Sequence, residues 1–503
     1  MKKYSFLLSL WLILLICLSI SSAPSYASGI YAGKASVNIT PPVPVAVGGQ
    51  MYLRVAQKVD NPATANVLLL SSGSRKDAGA TSVLVSCDLV IIDLNITHGV
   101  RALIVDKIPG IDTGKIVINA IHTHTAPEAR DYVYVIPRDV IQVPEVRRYI
   151  VDQIVEAVLE AWNNQQKVSV AWGVDYAKVA YNRRATYEDG TAKMYGNTAV
   201  KEFRKIEGPE DESINTLFFW NAKGELVAAG INVACPAQIV EGRVTVNADY
   251  WHFVRQNMQK RFGKQVVVVG WIGAAGDQSP RPMYNKAAEY RMAQLRSGVA
   301  PKDLKMDGIN FQTEIYLQEI ADRITEAVVR TYEAVKADKQ NDVILKHEVQ
   351  HIDLPMRSIT AEEYWAIKKE LIADTIQGEE HSRKFYGRIG WNKRAIQRYE
   401  NQQRVEHPLY NAEIHVLRIG DIVICTNPFE LFTDYGVQMK ARSKALQTFV
   451  IQLAGPGSYL PTAIAVKGGH YSAIPQSNLV GPEGGQVLVE RTLQLVEDVW
   501  KEN

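Results

Sequence analysis

Five apolar, β-branched runs set the terms on which this chain can fold. They are "TSVLVSCDLVII" (81–92), "KIVINAI" (115–121), "KQVVVVGWIG" (264–273), "DIVICT" (421–426) and "TFVIQLAG" (448–455). Short apolar runs with no polar alternation read as strands covered on both faces. Segments of helical period lie between them, such as "VRRYIVDQIVEAVLEAWNN" (146–164) and "EIYLQEIADRITEAVVRTYEAV" (314–335). Strands alternating with helices predict an α/β architecture. The region at about 356–410 breaks the pattern: it is highly charged and helical in period, and Thr360 and Glu363 are spaced as a capping box. It reads as a helical insertion, either a lid or a solvated hairpin.

Residues 1–27 have the plan of a bacterial-type secretory signal peptide. Lys2 and Lys3 form the basic end, an apolar run extends to Ile20, and Ser25 and Ala27 are the small residues of a cleavage site. The apolar run is too short to span a bilayer. "LLIC" at Cys17 has the outline of a lipoprotein box, but Ile16 is too large for it. The remainder, 28–503, is expected to be secreted or cell-surface, with no stable membrane span. Without Lys2 and Lys3 the formal charge falls from +2 to zero, and no basic cluster remains. That excludes the electrostatic footprint of a nucleic-acid binder. Cys87, Cys235 and Cys425 are left, an odd number and no disulfide framework. Cys87 and Cys425 sit in strand-like runs and are expected to be buried; Cys235 does not fit that description.

Four of the runs end in loops that carry reactive side chains. "KIVINAI" leads into "HTHTAP", "KQVVVVGWIG" into "AAGDQSPRP", "DIVICT" into "NPFELF" and "TFVIQLAG" into "PGSYLPT". In open α/β sheets ligands bind beyond the carboxyl ends of strands. If these strands lie side by side and parallel, His122, His124, Ser279, Glu430 and Tyr459 converge. Plainer readings stand beside this one: the imidazoles cap backbone groups or lie exposed, "GDQSP" makes an Asx or Ser turn, and Glu430 sits in a helix's first turn. Together the residues carry more weight. A catalytic zinc takes imidazole nitrogen and carboxylate oxygen and keeps a position for water. A bound metal lowers the pKa of that water and polarises a carbonyl, and a serine hydroxyl can attack or donate to an oxyanion. This set suits amide or ester hydrolysis. No phosphate-binding loop, dinucleotide fingerprint or G-x-S-x-G elbow is present.

At these residues the sequence resembles the neutral/alkaline non-lysosomal ceramidase family. "AGKASVNITPP" (32–42) is similar to that family's opening segment, and "HTHTAP" to its Thr-His-Thr-His segment. "YNRRA" (181–185) resembles its Asn-Arg segment, "AAGDQSP" its Gly-Asp-x-Ser-Pro segment, and "NPFELF" its Pro-x-Glu segment. "YLPTAIAVKGGHY" resembles the segment that holds two active-site tyrosines. The likeness runs in order along nearly all of 28–503. It implies layered mixed sheets flanked by helices, forming one ceramidase-like hydrolase domain over 28–503. It also implies N-acyl hydrolysis assisted by Zn2+. By resemblance, His122, Glu430 and Tyr459 ligate the metal, and His124, Arg183, Ser279 and Tyr471 meet a small-molecule or lipid-like substrate.

Two departures bear on the substrate. The family's second zinc-binding histidine follows a strand, and here that segment reads "NVACPAQIV" (232–240), with no histidine. His124, Cys235 and His252 are the candidates to fill the gap. The family's C-terminal immunoglobulin-like domain has no counterpart in this sequence. Ceramide itself is therefore not the expected main substrate. Hydrolysis of a sugar or cell-wall derivative, or binding without catalysis after loss of the metal, stand as alternatives.

Overall fold

Val67, Leu69, Val83 and Val85 enter one buried core, while Leu68, Leu70 and Leu84 enter another. This is why the runs show no polar alternation: successive side chains point to opposite faces of a strand, and both faces are covered. The computed structural model describes residues 28–378 and 385–501. The segment 1–27, read above as a signal peptide, lies outside the described residues.

Among the described residues the main sheet has nine strands. Eight are β1 (Ser28–Asn38), β2 (Thr64–Ser72), β3 (Thr81–Cys87), β4 (Ile116–Ala120), β5 (Gln166–Tyr176), β6 (Ser213–Asn221), β7 (Leu226–Val233) and β8 (Val267–Ile272). Their spatial order is β8-β7-β6-β5-β1-β2-β3-β4, and the short Asp342–Val343 strand pairs with β1. Only β7/β8 and β3/β4 are parallel pairs. A second sheet orders β9 (Leu345–Pro355), β10 (Leu409–Ile419), β11 (Ile422–Thr426) and β12 (Gln447–Ile451), with β11/β12 parallel. The sheets pack face to face, joining Leu68, Leu217 and Trp271 with Leu417, Ile424 and Phe449 in one core. Helices α1 (Leu94–Lys107) and α2 (Val143–Asn163) cover one part of the main sheet's outer face, and α3 (Tyr250–Phe262) and α4 (Glu314–Val335) another. The layered α/β expectation holds.

The side-by-side arrangement of the four reactive strands does not. β4 and β8 lie at opposite ends of the main sheet, and β11 and β12 belong to the other sheet. The strands meet because the main sheet curls. Ser86 and Asn119 donate to the Gly270 carbonyl at 2.6 and 3.3 Å, bringing β8 against β3 and β4 without closing a barrel. The loop after β12 then joins both ends: Ala120 N donates to Leu453 O at 3.2 Å, and Gln452 N to Ile272 O at 2.9 Å.

Among the described residues the 356–410 region contains two helices, α5 (Ala361–Thr375) and α6 (Tyr386–Gln402), between β9 and β10. Thr360 and Glu363 form the expected capping box. Cys87, Cys235 and Cys425 are free and buried. No described helix is long and apolar enough to cross a membrane.

Candidate functional site

Beyond β4 the chain is pinned before it turns. The Thr123 and Thr125 hydroxyls both donate to Asn247 O at 2.8 Å. His122 takes a φ of 64°, a conformation uncommon outside glycine and worth a functional explanation. Its Nδ1 donates to Val90 O at 2.7 Å, because a carbonyl can only accept. Nε2 lies 3.3 Å from Glu430 Oε2 and 3.3 Å from His124 Nε2.

Glu430 and Tyr459 are brought together by a two-residue parallel ladder, Glu430–Leu431 with Tyr459–Leu460. Glu430 precedes the helix Thr433–Arg442 rather than standing in its first turn. Burial pushes the Glu430 carboxyl up, but His122, Arg183 and a hydrogen bond from Tyr459 outweigh it and hold the group below its ordinary range. Burial, then the charge of Glu430, pushes the Tyr459 phenol well up. Tyr471 packs edge-on to Tyr459, ring centres 6.1 Å apart.

Arg183 is buried at the centre of this group. It donates to Gly276 O at 2.9 Å, to Tyr195 OH at 2.9 Å, to Tyr459 OH at 3.5 Å and to Gln238 Oε1 at 3.2 Å. A guanidinium has no acceptor, so it fixes the Gln238 amide with oxygen towards Arg183. The amide nitrogen then faces His124 Nε2, at 2.6 Å. The His124 proton is left on Nδ1, 3.6 Å from Glu241 Oε2. Glu241 is in turn paired with Arg281. Burial, then His122 and the arginines nearby, push the His124 imidazole pKa well down, so His124 is neutral near pH 7.

Four of the expected residues join His122 here: His124, Glu430, Tyr459 and Arg183, with Tyr471 beside them. Ser279 is not drawn into this group by hydrogen bonding. It is fully buried, and its Oγ accepts from Arg281 N at 3.1 Å. Its neighbour Asp277 is a brace, accepting from Asn182 at 2.7 Å and from the Thr433 hydroxyl at 2.7 Å. Cys235 turns away, its thiol donating to Val179 O at 3.3 Å, and burial pushes the thiol pKa up. His252 meets Gln256 at 2.9 Å in an open cleft with Asp60, Arg243 and Glu314, apart from His122.

Gln238, Glu241, Arg281 and Tyr195 were not foreseen. The usable signal was "ELVAAGINVACPAQ" (225–238), a further apolar run that ends in a polar loop. Gly49 was also missed: at φ 97° a Cβ there would lie 2.5 Å from His124 Cγ. Only glycine lets the 48–54 loop close over the imidazole.

Among the described residues no group of three or more His, Cys, Asp or Glu side chains is arranged to hold a metal ion. What the site does present is two imidazoles and a carboxylate facing inward, with a phenol and a guanidinium beside them.

No family model and no curated protein matches the chain. Solved structures do. The neutral ceramidase from Pseudomonas aeruginosa is similar over 94% of this chain and 75% of that one, with a TM-score of 0.64 and 17% identity. A ceramidase complexed with C2 is similar over 93% and 75%, with a TM-score of 0.65 and 15% identity. At this identity the likeness is one of architecture: the chain has the fold of the neutral ceramidases.

Proposed function

We propose that this chain is a secreted, metal-dependent hydrolase that cleaves an amide or ester bond, in the manner of N-acyl hydrolysis. One observation carries the reading: His122 Nε2, the Glu430 carboxylate and the Tyr459 phenol come together in one buried group, with His122 Nε2 3.3 Å from Glu430 Oε2 and Tyr459 hydrogen-bonded to Glu430. A tetrahedral zinc with bonds of about 2.0–2.1 Å separates its ligands by roughly 3.3 Å. The 3.3 Å between His122 Nε2 and Glu430 Oε2 fits that donor pair. His122, Glu430 and Tyr459 are the proposed ligands for Zn2+. Bound there, the metal would supply a water nucleophile near neutral pH and polarise the substrate carbonyl.

The remaining roles belong to the chain's own residues. Arg183, held rigidly by three acceptors besides Tyr459, offers positive charge where an oxyanion develops. His124 faces the substrate carbonyl, oriented by Gln238 on Nε2. Tyr471 closes the side of the site next to Tyr459, and Ser279 supports the loop that carries Arg281. The neutral ceramidase fold and the site's buried position favour an acylated, lipid-like small molecule as the substrate class. The signal-like segment 1–27 supports export.

A second reading has an observation of its own. Gln238 already occupies His124 Nε2, as expected of a binding protein that has lost its metal. Purified full-length protein, assayed on short-chain N-acyl amides and esters with and without a chelator, separates the two. Turnover that falls on chelation and returns with zinc supports the hydrolase. Ligand binding without metal or turnover supports the alternative.

A further inference from the structure

The helical hairpin inserted between β9 and β10 has two unlike faces. Inward, Tyr364 and Ile367 of α5 pack with Ile359 and Ala395, and Tyr364 stacks on Tyr399 of α6 with ring centres 4.3 Å apart. Outward, α5 exposes Trp365, Ile372 and Ile376, which are 62%, 52% and 77% accessible. At 3.6 residues per turn these three project within about 40° of one another. Ala366 and Ala373 lie on the same exposed side. An apolar stripe on the solvent side of an otherwise satisfied helix needs an occupant.

The charges around the stripe select one. Glu370 and Asp374 of α5 are turned towards α6, where Arg388 pairs with both at 3.7 and 2.5 Å. Glu363 is committed to the helix cap and to Arg357 at 3.1 Å. Glu362 is exposed, but in the first turn. Lys369 lies within the stripe, exposed, with no ion-pair partner among the described residues. Lys368 lies over the Trp365 ring, its Nζ 5.1 Å from the ring centre. An amphipathic face of tryptophan and isoleucine edged by lysines suits the interface of a lipid bilayer. Lysine near such a surface favours anionic headgroups. A two-fold contact with a second copy through this face would set Lys369 near its own mate, since such an interface repeats one patch on both sides.

The hairpin also adjoins the site. Gly387 N of α6 donates to Met51 O at 3.3 Å, in the loop that closes over His124. Arg398 donates to Asn478 O at 2.5 Å, and Asn392 Oδ1 accepts from Gln476 at 3.2 Å, both in the segment that follows Tyr471. We propose that the outward face of α5 docks the protein on an anionic lipid surface and places the site beside the layer in which amphiphilic substrates lie. The docking stands on the α5 face alone; its link to turnover rests on the hydrolase reading.

The test uses full-length protein and vesicles of phosphatidylcholine, with and without phosphatidylglycerol. Wild type should co-sediment with the anionic vesicles, and less so as salt rises. Trp365→Asp and Ile376→Asp, both at exposed positions, should abolish co-sedimentation. Lys369→Glu should weaken binding to the anionic vesicles roughly tenfold or more. All three should keep wild-type turnover of a soluble short-chain acyl amide. Failure of wild type to bind either vesicle, or equal binding by the aspartate variants, would overturn the proposal. So would a dimer in light scattering that Trp365→Asp dissociates in the absence of vesicle binding. Vesicle binding with no turnover of any acyl substrate would leave docking standing and remove the hydrolase reading instead.

Discussion

His122 Nε2 and His124 Nε2 face each other across 3.3 Å, with His122 Nδ1 donating to Val90 O and the Gln238 amide nitrogen 2.6 Å from His124 Nε2. His122 Nε2 also lies 3.3 Å from Glu430 Oε2, so a cation held there would meet an imidazole and a carboxylate. In His122 the arrangement is maintained by the Val90 carbonyl and by a backbone φ of 64°, so local turn preferences do not produce it.

The first prediction concerns the cation. Protein made in zinc-replete medium should hold close to one zinc per chain by elemental analysis. Glu430→Gln should weaken zinc binding by more than the 10–100-fold typical of a partner outside the coordination sphere, because a neutral amide is a poor substitute for a carboxylate ligand. Metal-free wild type from such medium would contradict this.

The second concerns Gln238. Removing its amide frees His124 Nε2, so Gln238→Ala should tighten zinc binding in a chelator competition. It also leaves the buried Arg183 one acceptor short, at a cost of about 1–3 kcal/mol in stability. Tighter metal binding with a lower urea midpoint is the expected pair of results. Unchanged affinity would mean that His124 stays outside the metal's reach.

The third concerns Ser279. Its Oγ accepts from Arg281 N, and Arg281 in turn braces Glu241. Ser279→Ala should therefore lower stability by about 1 kcal/mol. It should also cut turnover about a hundredfold if its hydroxyl serves the oxyanion. Rates measured at equal folded fraction separate the two: a lower melting point with an unchanged rate assigns Ser279 to the turn alone.

The fourth concerns acid. His347 and His415 are buried between the sheets, Nε2 to Nδ1 at 3.1 Å, with Ser82 beside one and Glu413 beside the other. Arg101, Lys115 and His351 also face the pair. Burial, above all, pushes both imidazoles below their ordinary pKa. The unfolded chain takes up these protons near pH 6.5, and the folded chain only at lower pH. The unfolded state thus binds more protons below that point, and stability is lost as pH falls through and beneath it. The urea midpoint should drop between about pH 7.5 and about pH 5.5. The double variant His347→Leu/His415→Leu should flatten that drop.

Much of this architecture was legible in the sequence because it is written locally. The runs at 81–92 and 264–273 read as doubly covered strands, which the structure forms over Thr81–Cys87 and Val267–Ile272, and Thr360 with Glu363 read as a helix start. "HTHTAP", "NPFELF" and "GSYLPT" marked His122, Glu430 and Tyr459 because reactive side chains stood where buried strands end. What the sequence could not show was how those ends meet. They do so through the curl of one sheet onto another, with β4 and β8 at opposite ends of the first, and curl is a sum of small twists over many strands. Nor could it show what His124 touches. Gln238 lies 114 positions away and is itself aimed by Arg183, 55 positions from it. Strand, helix and turn preferences act over a few residues, so the sequence by itself determined the elements and the reactive loops. The orientation of a buried imidazole depends on donors and acceptors that only the packed chain brings into reach, and that the tertiary structure alone decided.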